Sequence, residues 1–176
     1  MDDFKTLDGA MELFKQVGAL GSTNNIFMTL RDTNRDGMKI GMAAGVAAGM
    51  AVAFGAGAFV LRGNAEALFN DNFDAILINQ TESGFGFIPM HSKKAVLTLA
   101  KIENLEPALN EYAFIPYDAI AEVKVKNYSF ANKKVQTVKI KLDDKHVLHL
   151  LARKQEKLLP YQQENYAKIM SQYGKK

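Results

Sequence analysis

Few side chains in this sequence stand at spacings that could do chemistry. His146-Val147-Leu148-His149 would suit a metal ion on a helix. The surrounding stretch, His146 to Ala152, reads as a strand. There, residues three apart point to opposite faces, and the two imidazoles diverge. His91 follows Met90 at a strand end and has no carboxylate neighbour in sequence. Asp32-Thr33-Asn34-Arg35-Asp36-Gly37 resembles the front half of a calcium loop, with oxygen ligands at alternate positions and then glycine. The second half fails: Lys39 stands where an apolar residue belongs, and Ala43 replaces the closing bidentate carboxylate. Gly84-Phe85-Gly86 fits a hairpin at least as well as a phosphate loop. The chain has no cysteine, which removes disulfides, thiol nucleophiles and thiolate zinc sites. No nucleophile elbow, phosphate-cradling glycine loop or paired catalytic carboxylates occur. The expectation is a protein that is not an enzyme, with no cofactor and no metal.

Charge gives a stronger signal. The net charge is only +3, but it is unevenly spread. Residues 1–62 balance, residues 63–120 carry net −5, and residues 121–176 hold 13 basic and 5 acidic side chains, net +8. Lys124, Lys126, Lys133, Lys134, Lys139 and Lys141 cluster on one expected hairpin around 127–132, with Tyr128 and Phe130 at its tip. Such a group could contact an anionic surface, each lysine contributing about 1 kcal/mol near charged lipid. It could equally be a lysine-guarded edge that resists aggregation. Two interleaved aromatics without a nucleic-acid-binding signature argue against nucleic acid as a partner.

Gly41 to Leu61 is a run of 21 residues without charge, containing 8 Ala and 5 Gly. As a helix it would be ~30 Å long, the thickness of a bilayer core. Gly41, Gly45 and Gly49 recur every fourth residue and would line one smooth stripe for close helix packing. The run has a single Leu, no Ile and no flanking Trp or Tyr, which makes it a weak membrane span. Arg31, Arg35 and Lys39 precede it and only Arg62 follows closely. The positive-inside rule would therefore put the N-terminus in the cytoplasm and the basic C-terminal part outside. The alternative is a Gly/Ala helix, or helical hairpin, packed on protein. The acidic start Met1-Asp2-Asp3-Phe4 lacks the basic region of a cleavable signal peptide, and none is expected.

Phe4, Leu7, Met11, Phe14 and Val17 step by three or four and predict an amphipathic helix, ended by Gly18 and Gly21. After residue 70 the period changes to two. Strands are expected at 73–79, 85–90, 94–102, 112–115, 120–128, 135–142 and 146–152. Val123 and Val125 face one side while Glu122, Lys124 and Lys126 face the other. Val138, Ile140 and Leu142 alternate likewise with Lys139 and Lys141. A final helix is expected with Pro160 in its first turn, Leu159, Tyr166, Ile169, Met170 and Tyr173 as its apolar stripe and Gly174 at its end.

Seven antiparallel strands and a closing helix, with Phe114-Ile115-Pro116-Tyr117-Asp118-Ala119-Ile120 leading into a central strand, resemble the pleckstrin-homology-like (PH-like) superfold. The likeness is to its bacterial PH-like and GRAM-like domains in particular. It covers roughly residues 66–174. It implies an α+β fold: a seven-stranded antiparallel barrel or sandwich capped by a C-terminal helix. Residues 1–37 would precede it as an amphipathic helix and turn, and 38–62 as a Gly/Ala-rich hydrophobic helix. It also implies a binding module, and phosphoinositide-binding members carry a basic loop between the first two strands. Here that loop is read as Asn79 to Gly84, which holds Glu82 and no basic residue.

The functional expectation is a non-catalytic PH-like module, membrane-associated or cytoplasmic. It would attach through the Gly/Ala-rich run and touch anionic lipid with the basic hairpin. A soluble protein-interaction domain and a self-assembling glycine-zipper protein are the alternatives, the partner then being another protein or a second copy. If the glycine stripe packs two copies together, Gly45→Leu weakens self-association in lipid or detergent; an unchanged oligomer size refutes the stripe.

Overall fold

The computed structural model describes residues 3–32, 62–63, 68–69, 72–94, 100–143 and 146–174. It is α+β, built on one antiparallel sheet. Helix α1 is Leu7–Gln16. The strands are β1 Asn25–Arg31, β2 Arg62–Gly63, β3 Ala75–Gln80, β4 Gly84–Ser92, β5 Leu105–Pro107, β6 Ala113–Pro116, β7 Ile120–Asn127, β8 Val135–Leu142 and β9 Val147–Arg153. Helix α2, Gln162–Tyr173, closes the chain. The order across the sheet is β2-β6-β4-β3-β1-β9-β8-β7, with the short β5 also on β4.

The strand at the centre, β1, was not foreseen. Residues 1–37 read as helix and turn, but Ile26 to Leu30 form an unbroken buried run that does not alternate. Such a run belongs to a strand covered on both faces. Its flanking strand β3 is buried at all its positions for the same reason. Because β1 is the first strand, the turn holding Glu82 joins β3 to β4 and is not the connection between the first two long strands. That connection is residues 32–74, and the sequence argument drawn from the Asn79–Gly84 loop falls away. The strand expected at 94–102 is also absent where the structure describes it. Ala100 and Lys101 are irregular, and Ile102 opens a 3₁₀ turn, Ile102–Asn104. Residues 95–99 lie outside the described residues, as do Gly41, Gly45, Gly49 and the whole run Gly41–Leu61.

The sheet separates two cores. On its inner face Phe27, Ile76, Ile78, Phe85, Phe87, Val125, Val138, Ile140, Leu148 and Leu150 enclose Tyr166 and Ile169 of α2. On its outer face Ile26, Met28, Leu30, Leu77, Ile88 and Leu151 pack against Leu13 and Phe14 of α1 and against Ile102 and Leu105. Thr6 caps α1, its hydroxyl accepting from Gly9 N–H at 3.1 Å. Gly18, at φ +68°, turns the chain out of the helix. The expected stripe shifts by part of a turn: Leu13 is buried and Leu7 is 40% exposed. Gly86 leaves room for the Phe14 ring, which a Cβ there would meet at 3.3 Å.

One joint lacks a strand partner. β1 pairs with β9 only at Leu30 and Arg31. Beyond them Gln162 of α2 takes the place of a rung. It accepts from Met28 N–H at 2.8 Å and donates to Met28 O and Arg153 O, both at 2.9 Å. Asn165 donates to Ile26 O at 2.8 Å. Gln162→Leu strands the buried Met28 N–H and C=O, each costing about 1–3 kcal/mol. The melting temperature should fall by about 5–15 °C, whereas Leu at the exposed Gln163 leaves it nearly unchanged.

Candidate functional site

α1 and the 100–112 connection cover the outer face of the sheet over β1, β3 and β4, and among the described residues the outer-facing side chains of β7 and β8 are half-buried or exposed. The alternation read from sequence holds there. Val123 opposes Ile140 and Val125 opposes Val138 on the inner face. On the outer face Glu122 opposes Lys141, Lys124 opposes Lys139 and Lys126 opposes Thr137. The Lys124–Lys139 row continues onto β9 at His149. Like charges directly across two strands repel, and hydrophobic packing on the other face holds them in register.

Glu122 is the one acidic residue in either strand. Its carboxylate lies 2.5 Å from Lys124 Nζ. The hydrogen bond from Lys124, with the charges of Lys124, Lys139 and Lys141, holds its carboxyl below the usual carboxylate range. One carboxylate among four lysines leaves the face strongly positive.

The hairpin tip is a second, smaller group. Asn132 N–H donates to Ser129 Oγ at 3.0 Å and Lys134 N–H to Asn132 Oδ1 at 3.2 Å, which shapes the turn. Phe130 is 95% exposed, and Lys133 Nζ lies 5.8 Å from its ring centre. Tyr128 is 39% exposed. Lys133 and Lys134 thus accompany the aromatic tip, while Lys124, Lys126, Lys139 and Lys141 form the face. The two groups are at different heights on the strands. The tip lies beyond the Val135–Arg153 pair, and Lys141 pairs with Val147 at the opposite end, ~20 Å along the strand.

Other chemistry-bearing residues are placed as follows. His91 has a neighbour that sequence distance concealed: its Nε2 lies 2.8 Å from Glu111 Oε2. His149 is inside β9, while His146 precedes that strand and its ring lies 5.1 Å from that of Phe69. Among the described residues no group of three His, Asp or Glu side chains could hold a metal ion. Of the calcium-like run only Asp32 is described, and it is buried. Among the described residues no helix is long and apolar enough to cross a membrane.

A polar cleft of about 550 Å³ opens between the β3–β4 turn, the start of β1 and α2. Sequence reading missed it, because its walls come from segments far apart in the chain. Its polar groups fasten the fold together. Asn25 Nδ2 donates to Gln80 Oε1 at 3.3 Å, and Gln80 Nε2 donates to Gln172 Oε1 at 2.7 Å. The Tyr117 hydroxyl donates to Thr81 O at 2.8 Å. Glu82 ties the α1–β1 loop to the sheet by accepting from Ser22 N–H at 3.0 Å and Thr23 N–H at 3.1 Å. A Cβ on Gly21 would collide with that carboxylate.

Compared with family models, curated proteins and solved structures, the chain matches none.

The backbone N–H donors of Ser22 and Thr23 lower the Glu82 pKa from 4.5 to about 2. A carboxyl depressed on folding stabilises the native state fully above its unfolded pKa. That stabilisation is lost as pH falls from 4.5 through about 2. Glu82→Gln should therefore flatten the stability curve within that window, read as melting temperature against pH; an unaltered slope shows that the loop tie carries no linkage.

Proposed function

We propose that this chain is a non-catalytic binding module of PH-like type that associates with anionic membranes through the outer face of its β7–β8 hairpin. Two meanders, β1-β3-β4-β6 and β7-β8-β9, joined side by side and closed by α2, support the fold reading. Six of the longer strands and the final helix lie within the 66–174 stretch that carries the resemblance, and β1 joins them from outside it in place of the strand expected at 94–102. The observation that carries the function is the bare lysine face, where Lys124 and Lys139 stand opposed with a single carboxylate beside them. Repulsion of this kind is relieved when a polyanion supplies the missing negative charge. A lipid surface offers that charge over an area rather than at a point, which matches lysines spread over two strands. The Gly/Ala-rich run contributes apolar attachment in this reading.

The geometry favours the face over the tip. Lys139 and Lys141 are at the end of the sheet where β1 ends, since Arg31 pairs with Leu150 one residue from the Lys139–His149 pair. Phe130 is at the other end.

Sedimentation with phosphatidylcholine vesicles, with and without phosphatidylserine, tests the proposal. Binding should require phosphatidylserine and weaken as salt rises. Lys139→Ala with Lys141→Ala should weaken it ~30-fold, from about 1 kcal/mol per lysine. Equal affinity for neutral vesicles, or no effect of the double substitution, overturns it. Binding to neither kind of vesicle leaves the protein-interaction alternative in its place.

A further inference from the structure

The sheet constrains how this chain can meet a membrane. β1 ends at Arg31, whose N–H donates to Asp74 O at 3.0 Å, and Leu30 pairs with both Ala75 and Leu151. The chain is in the sheet again at Arg62, opposite Phe114 on β6. Leu68 is fully buried in the inner core. The residues before and after positions 33–61 therefore belong to one folded body, which lies on one side of any bilayer.

Chain length does the rest. A single crossing would put the two flanks on opposite sides and divide the sheet between them. Two helical crossings need ~20 residues each, about 40 in all. Positions 33–61 supply 29. Strands offer no shorter route, because in hydrocarbon they survive only in closed barrels.

We infer that this chain does not cross a bilayer and that it engages a membrane from one side only. This deepens the reading proposed above and rests on it for the membrane itself. The arginine and lysine asymmetry around Gly41–Leu61 then selects no orientation, since both flanks share a side. The N-terminus and the basic C-terminal part cannot be separated by the membrane in the way the positive-inside rule suggested. The side that faces lipid is the one bearing Lys139 and Lys141, next to the point where β1 ends.

The absence of cysteine makes the test clean. Single cysteines are placed at Ser22 and at Asn72, exposed positions on either side of 33–61. Each variant is synthesised in the presence of sealed phosphatidylcholine–phosphatidylserine vesicles and treated with a membrane-impermeant maleimide, before and after detergent. The two sites should label alike, without any gain on opening the vesicles. Labelling of one site freely and of the other only after detergent overturns the inference. If both sites label but no chain floats with the vesicles, one-sided engagement falls together with the membrane reading, whereas vesicle-bound chain with one protected site overturns the inference alone.

Discussion

The arrangement of the whole molecule depends on how α2 seals the split edge of β1. A strand at the centre of a sheet needs partners on both sides, and β9 diverges from β1 after two residues. The backbone there is buried along with Ile26, Phe27 and Met28, so its polar groups need partners. The side-chain amides of Gln162 and Asn165 supply the missing donors and acceptors. Their reach fixes where α2 lies, and α2 in turn carries Tyr166 and Ile169 into the inner core. The Tyr166 hydroxyl donates to Gln136 at 3.0 Å, which extends the same polar seam to β8. Tyr161 extends it to the N-terminus, donating to Phe4 O at 2.6 Å.

That seam explains the asymmetry of the outer face. α1 is anchored at Phe4 and covers β1, β3 and β4. Nothing among the described residues continues that layer over β7 and β8. A bare sheet face must be polar, and here it is polar with nearly one sign of charge. Mixed charge would satisfy solubility as well and would avoid the repulsion between Lys124 and Lys139. The single-sign face is the feature on which the proposed contact with an anionic surface rests.

The same pairing that makes β1 central also ties the Gly/Ala-rich run at both ends to one body. Hydropathy treats that run as a segment with two independent flanks. The strand partners of Leu30 and Arg62 remove that independence, so a property of sheet topology limits a property usually read from sequence alone.

Much was legible without coordinates. Alternation over 120–127 and 135–142 is a direct imprint of one wet and one dry face. The two strands and the shared side of Lys124, Lys126, Lys139 and Lys141 could therefore be read from sequence, while their register, with its irregularity between Ile120 and Glu122, could not. The apolar stripe and Pro160 marked α2 in the same way. β1 was hidden because burial on both faces erases the period of two, and Asn25–Arg31 then looks like any short apolar run. Of the 94–102 stretch, Ala100 and Ile102 serve the outer core, Ile102 from a 3₁₀ turn rather than a strand. The His91–Glu111 contact, the Glu82 tie and the Gln162 bridge join residues 20, about 60 and 134 positions apart. Local sequence determined which faces are wet and where the positive charge collects. Only the tertiary structure decided which strand is central, what covers it and that both flanks of the uncharged run share a side, because those follow from pairings between distant segments that no local pattern encodes.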